Sequence, residues 1–179
     1  MGKNNFGDQV PGAFNSENSE SFLDGEISDG QFKTRLIQTF RSGPLLFGIP
    51  EDQISTIAEW TRPTPLPFAP SAVLGVVSVQ GRMLTVLDPS RLLEGTTNYD
   101  ECSWAFIAAL RGDEQLALAI EDQDGVIEIP ASGLEPPSAT AGPAISGILR
   151  LDDRVISVIE VKELFSTAMR GRERRRRRF

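Results

Sequence analysis

A β-hairpin pattern occurs twice in the sequence, at a constant offset of 72 residues. In Val73–Leu93, two apolar runs flank a tight turn at Gln80-Gly81-Arg82, and a short helical run follows. This is the sequence form of a β-hairpin. The pattern returns without a gap in Ile145–Phe165. The matched pairs are Gly75 with Gly147, Arg82 with Arg154, Thr85 with Ser157, Val86 with Val158, Asp88 with Glu160, and Leu92 with Leu164. Two matched hairpins predict two similar β units.

The same offset relates the segments upstream of the hairpins. The matched positions there are Leu46 with Leu118, Asp52 with Asp124, Ile54 with Val126, Ile57 with Ile129, and Pro65 with Pro137. Alternating apolar residues also resemble each other by chance, but the matched glycine, arginine and acidic positions argue against that alternative. We therefore expect a mainly β protein built from two related units.

Further apolar runs predict the remaining strands. These strands are Thr34–Phe40, Leu45–Ile49, Ile54–Trp60, Ser103–Leu110, Gln115–Ile120 and Val126–Ile129. Turn-forming residues at 41–44 and 111–114 separate two adjacent pairs, which predicts two more hairpins. The last element has apolar residues at helical spacing, so we expect an amphipathic helix over Glu160–Arg170 that caps a core.

Arg62–Pro70 contains four prolines, so it is neither a helix nor a central strand. An extended ligand for a proline-binding domain is one interpretation of such a segment. We favour the other, a rigid crossover between strands with the apolar side chains of Leu66 and Phe68 packed beneath it.

Charge is distributed unevenly along the chain. Residues 170–179 hold seven arginines and one glutamate, so this tail is strongly basic within a chain of net charge -7. Residues 1–32 form an acidic segment without apolar periodicity, which we expect to be disordered, and the arginine-rich tail is expected to be flexible. The tail has three interpretations: a solvated end, a contact for nucleic acid or acidic lipid, or a tether to an acidic partner.

Side chains for catalysis and metal binding are scarce. The sequence has no histidine, which removes the commonest general base and metal ligand. The acidic run Glu121–Gly125 resembles part of a calcium loop, but the flanking ligand positions would fall on Ile120 and Ala131, which cannot bind calcium. A solvated β-turn is expected there instead. We expect no enzyme activity, no cofactor and no metal site.

The sequence also predicts a location. Its start lacks the basic and apolar parts of a signal peptide, and no apolar run approaches the roughly 20 residues of a membrane span. Cys102 is the only cysteine, so no disulfide forms within the chain. We therefore expect a soluble cytoplasmic protein.

Several short segments, in their order and spacing, resemble the CheW family of chemotaxis coupling proteins. They are Phe47-Gly48-Ile49, Ile57-Ala58-Glu59, Leu66-Pro67-Phe68-Ala69-Pro70, Val73-Leu74-Gly75-Val76, Gly81, Val86-Leu87-Asp88, and Ile145-Ser146-Gly147 through Phe165. The resemblance covers Thr34–Met169. It implies that residues 33–169 form a CheW-like domain of two five-stranded SH3-like β-barrel subdomains that share an apolar core.

The resemblance also implies a role and partners. Such proteins are non-enzymatic adaptors that bridge the cytoplasmic tip of a methyl-accepting chemoreceptor and a CheA-type histidine kinase, in membrane-proximal receptor arrays. The arginine tail would add a weak electrostatic contact with acidic partners or membrane. The residues expected at a protein contact are Ile57, Glu59, Gln80, Gly81 and Arg82. For Ile57, core packing is an equally good interpretation.

The turn departs from the family pattern at Gln80. The family usually carries an arginine before the turn glycine, in an asparagine-leucine-arginine-glycine run, where this chain has Ser78-Val79-Gln80-Gly81. Thr85 stands where a proline is common. Gln80 keeps hydrogen-bonding capacity but carries no charge. The alternative function is therefore a CheW-like module rewired to a pilus-type or other two-component pathway.

Overall fold

The fold comes from a computed structural model that describes residues 34–94, 104–112, 115–139 and 141–176, with side chains described as far as Arg170. The strands in these ranges are β1 (Thr34–Ser42), β2 (Leu45–Pro50), β3 (Ile54–Glu59), β4 (Val73–Val79), β5 (Arg82–Leu87), β6 (Phe106–Leu110), β7 (Leu116–Ile120), β8 (Asp122–Pro130), β9 (Ile145–Leu151) and β10 (Arg154–Ile159). The helices are α1 (Pro89–Leu93) and α2 (Val161–Arg176), with a single 3-10 turn at Glu51–Gln53.

The strands form two five-stranded sheets. The first sheet has the order β8-β1-β2-β10-β9, and the second has the order β3-β6-β7-β5-β4. Neighbouring strands are antiparallel except for two parallel pairs, β2 with β10 and β5 with β7. The mainly β class with two five-stranded units, predicted from the sequence, is confirmed.

The two sheets are equivalent strand by strand, but each is built from both halves of the chain. When β1 to β5 are matched with β6 to β10, the order of the first sheet becomes the order of the second. The first sheet takes β1 and β2 from the first half and β8, β9 and β10 from the second. The internal repeat is thus present in the fold, yet a repeat unit in the sequence does not correspond to one sheet.

A shared apolar core joins the sheets, as the resemblance implied. Phe40, Phe47 and Ile49 from the first sheet are buried in one cluster with Leu118 and Ile120 from the second. The buried side of α2 completes this cluster with Val161, Leu164 and Ala168. Each sheet also has its own smaller cluster on its other face. Burial on both faces explains why β6 and β7 are apolar throughout rather than alternating.

The proline-rich crossover has a rigid start and an exposed end. The backbone N–H of Thr64 donates to the carbonyl of Val76 at 2.8 Å, and the N–H of Val76 returns the bond at 2.9 Å. The Thr64 oxygen lies 2.2 Å from where a Cβ of residue 75 would stand, so this crossing requires Gly75. In the second unit, Glu135 pairs with Ile148 and lies against Gly147 in the same way.

The expectation that Leu66 and Phe68 pack beneath the crossover is wrong. Leu66 is 43% exposed and Phe68 is 91% exposed. After the bridge at Thr64 the chain turns outward, with the Ala69 N–H donating to the Leu66 carbonyl at 3.3 Å. Phe68 has a φ of 59°, and this left-handed conformation belongs to the turn. The crossover is nevertheless held at its start, as the favoured interpretation required.

The acidic run is a strand and not a solvated turn, so that prediction is also wrong. Asp122 and Gln123 belong to β8 and pair with Arg41 and Phe40 of β1. The Arg41 guanidinium lies 2.5 Å from the Asp122 carboxylate, and Arg154 pairs with Asp124. Opposite charges across strands compensate for the low strand propensity of aspartate.

The two ends of the chain complete the description. The final helix begins at Val161 and continues to Arg176, six residues beyond the predicted end at Arg170. The acidic segment predicted to be disordered, 1–32, lies outside the described residues, as do residues 177–179. In the part of the chain that the structure describes, no helix is both long and apolar enough to cross a membrane.

Candidate protein-binding surface

Gln80, Gly81 and Arg82, which we call the turn patch, form the tip of the β4–β5 hairpin. Val79 pairs with Arg82, so the connection has two residues, Gln80 and Gly81. Both have positive φ, 50° and 78°, which is the geometry of the tight hairpin turn whose twist matches that of the strands. All three residues are exposed. The hairpin therefore presents the turn patch in one defined conformation.

The side chains of the turn patch are uncommitted. Among the described residues, neither Gln80 nor Arg82 has a hydrogen-bond or ion-pair partner. The equivalent turn of the second unit is different, since Arg154 is paired there with Asp124. A partner protein would therefore compete with an internal carboxylate for Arg154 but not for Arg82.

Ile57 and Glu59, which we call the edge patch, lie on β3 at one edge of the second sheet. Glu59 is exposed and pairs across the sheet with Phe106. Ile57 is half-buried and packs against the shared core. Of the two interpretations of Ile57, core packing is therefore the one its contacts favour, while Glu59 offers a charge to a partner.

The hydrogen-bond register does not place the two patches in one row. Ile57 is opposite Ala108, and the row continues through Leu118 and Leu87 to Val73. Val73 is the end of β4 farthest from the hairpin turn. The edge patch is on β3, at one edge of this sheet, and the turn patch is at the end of β4, at the other edge. The two patches also lie at opposite ends of the strands. Sequence reasoning had expected Ile57, Glu59 and Gln80 near one contact.

Sequence reasoning missed two exposed apolar features. Met83 follows Arg82 directly and is exposed, and Phe68 projects from the crossover. No residue pattern in the sequence predicts the outward turn at Phe68, because a turn with proline at its second position normally has glycine or asparagine at the position that Phe68 occupies. Exposure of single apolar residues is nevertheless common in folded proteins.

Asp88 of the matched Val86-Leu87-Asp88 segment has a structural role directly after β5. Its carboxylate accepts bonds from the N–H groups of Ser90 and Arg91, at 3.0 and 3.2 Å, and so caps α1. The Arg91 side chain lies 3.1 Å from the same carboxylate. Burial nevertheless raises the pKa of Asp88, since loss of hydration outweighs these contacts. Ser90 Oγ donates to the Ser42 carbonyl at 2.8 Å and links α1 to β1.

Comparison with known proteins agrees with the fold. A family model described as "CheW-like domain" matches residues 37–169. The chain is 24% identical over 140 residues to "Chemotaxis protein CheW" of Rhizobium meliloti, covering 76% of this chain and 90% of that protein. It is 26% identical over 135 residues to "Protein FrzA" of Myxococcus xanthus, covering 72% and 84% respectively.

A solved structure extends this agreement to three dimensions. The crystal structure of scaffolding protein TtCheW from Thermoanaerobacter tengcongensis superposes with a TM-score of 0.65 at 21% sequence identity. The match covers 74% of this chain and 88% of that one. Because the family model spans well over half of the sequence, including both hairpins and the start of α2, the chain belongs to the CheW-like domain family.

Proposed function

We propose that this protein is a non-enzymatic adaptor of a bacterial chemosensory array. It bridges the cytoplasmic tip of a methyl-accepting chemoreceptor and a CheA-type histidine kinase, and it acts in the cytoplasm. Residues 33–169 form the adaptor domain, between the acidic segment 1–32 and the arginine tail. Membership of the CheW-like domain family supports this proposal, as do the relatives named for chemotaxis.

The observation that carries the proposal is the turn patch. It combines a tight two-residue turn, an exposed cation without an internal partner among the described residues, and the adjacent exposed Met83. A pre-organised contact loses little conformational entropy when a partner binds. The edge patch supplies a negative charge, Glu59, on a different part of the same sheet. Two separate patches suit a protein that holds two partners at once.

The test is a calorimetric titration of the 179-residue chain with a CheA-type kinase fragment and a receptor-tip fragment. We expect binding to both, and Arg82→Ser should weaken one of the two interactions about tenfold, because a charge-assisted hydrogen bond is lost. Arg154→Ser is the matched control at the equivalent turn, and it should leave affinity unchanged within about twofold. Absence of binding to either fragment at low salt would refute the adaptor function.

A second candidate is a CheW-like module that serves a pilus-type or other two-component pathway. Gln80 favours it, because the family usually has an arginine at this position of the turn. In the same titrations, Gln80→Arg should then strengthen binding to the standard chemotaxis fragments several-fold. Unchanged affinity would count against the rewired pathway. A third candidate is a tether to membrane or nucleic acid through the arginine tail, which the charge of residues 170–178 favours.

A further inference from the structure

Helix α2 has an apolar side that the core does not use. Val161, Leu164 and Ala168 are buried in the shared core. Phe165 and Met169 are instead 47% and 39% exposed, and neither belongs to a core cluster of the described residues. Residues four apart are neighbours on a helix surface. Phe165 and Met169 therefore form one exposed apolar ridge along α2.

Basic residues border this ridge. Lys162 and Arg170 are exposed on the same helix, at its start and toward its middle. The sequence then continues to residue 178 with six further arginines and one glutamate, and α2 extends through Arg176. The remainder of the chain is acidic, since the whole carries a net charge of -7 despite this run. The sequence thus concentrates its positive charge directly after the apolar ridge.

An apolar ridge next to clustered arginines is the composition of a helix that lies in the interface of an anionic membrane. Nucleic acid would satisfy the charge but leave Phe165 and Met169 in water. It would also find no aromatic residue between the arginines on which bases could stack. We propose that α2 and the arginine run bind the surface of an anionic lipid bilayer, with Phe165 and Met169 inserted among the headgroups.

The charges determine how the protein lies on such a surface. Each arginine close to an anionic leaflet strengthens binding by roughly fivefold at moderate salt. The acidic remainder is repelled by the same surface, so the protein binds with α2 toward the lipid and the sheets away from it. The turn patch is the tip of the β4–β5 hairpin, outside this helix. Lipid binding is therefore independent of the adaptor function and can fail or succeed without it.

The test is co-sedimentation of the 179-residue chain with lipid vesicles. We expect binding to vesicles of phosphatidylcholine mixed with phosphatidylserine, no binding to phosphatidylcholine alone, and weakening as salt is raised. Replacing Arg174 to Arg178 with serine should reduce affinity at least a hundredfold. Replacing the same residues with lysine should preserve it within about threefold, because a diffuse surface recognises charge rather than guanidinium geometry.

The apolar ridge has its own variant. Phe165→Gln combined with Met169→Gln should reduce vesicle binding about tenfold. Both residues are partly covered, so thermal unfolding must show that the double variant is still folded at the temperature of the binding assay. Leu36→Gln, at an exposed apolar residue of β1, is the matched control and should bind like the parent. Equal binding by the double variant and the parent would overturn the proposal. So would tighter binding to duplex DNA than to anionic vesicles, unaffected by the double variant.

Discussion

At the scale of single residues, Asp88 shows how a matched motif position can serve the fold rather than a partner. Its carboxylate caps α1, and its own N–H donates to the Ala72 carbonyl at 2.8 Å. The residue is only 3% exposed and belongs to a buried polar group with Ser90 and Ser42. These contacts hold the end of the β4–β5 hairpin that is farthest from the turn against α1 and β1.

The raised pKa of Asp88 makes a testable contribution to stability. Burial lifts this pKa above its ordinary value of 3.8, so the folded protein holds the proton more tightly than the unfolded chain. The contribution is complete below pH 3.8 and is lost as the pH rises through the folded pKa. Asp88→Asn keeps the capping acceptor but cannot titrate. In urea unfolding, the stability of the parent relative to the variant should fall across that pH range; parallel pH profiles would contradict this.

At the scale of elements, the crossover between β3 and β4 combines a firm anchor with a strained tip. Phe68 adopts a left-handed backbone conformation that costs a non-glycine residue about 1 kcal/mol. Its exposed ring recovers nothing from the core. The strain is local, because the bridge between Thr64 and Val76 holds the preceding residues independently.

Relieving this strain should stabilise the protein. Phe68→Asn places a residue that tolerates positive φ at the tip, so we expect the free energy of unfolding to rise by about 0.5–1 kcal/mol. Leu66→Asn is the control, since Leu66 has no positive φ, and it should give no gain. Both values come from urea unfolding followed by tryptophan fluorescence. A loss of stability in Phe68→Asn would mean that the ring makes a contact that its exposure does not reveal.

Strand pairs between neighbours in the chain were predictable from the sequence, whereas pairs between distant strands were not. The hairpins β1–β2, β4–β5, β6–β7 and β9–β10 were predicted correctly, because each depends on a local turn between apolar runs. The two parallel pairs were not, since they join residues distant in the chain, such as Phe47 and Ser157. In the candidate site, the turn patch was predictable because a glycine-containing turn lies between two apolar runs. The exposure of Phe68 and Met83 was not predictable, because it depends on how the chain runs in the folded protein.

At the scale of the whole molecule, the exchange of strands between halves makes the two sheets interdependent. The second sheet needs β6 and β7 from the second half, and the first sheet needs β1 and β2 from the first half. The indole rings of Trp60 and Trp104, one from each half, lie 5.0 Å apart between centroids. This contact forms only when both halves are in place.

Splitting the chain within residues 95–103 should therefore abolish folding of either piece alone. Each piece would leave two of its strands without their parallel partners and the shared core open. Mixing the pieces in equal amounts should restore the strand signal in circular dichroism, together with the near-ultraviolet signal of the packed tryptophans. Cooperative unfolding of either isolated piece would contradict this interdependence.

The exchange of strands also has a consequence for synthesis on the ribosome. When β5 leaves the exit tunnel, neither sheet is complete, because β7 must still arrive to pair with β5 and β10 to pair with β2. The second sheet closes first, and the first sheet waits for almost the last residues of the domain. During that interval the nascent chain exposes unpaired strand edges, which are templates for aggregation. The strand order thus keeps edges of both sheets open until most of the domain has been synthesised.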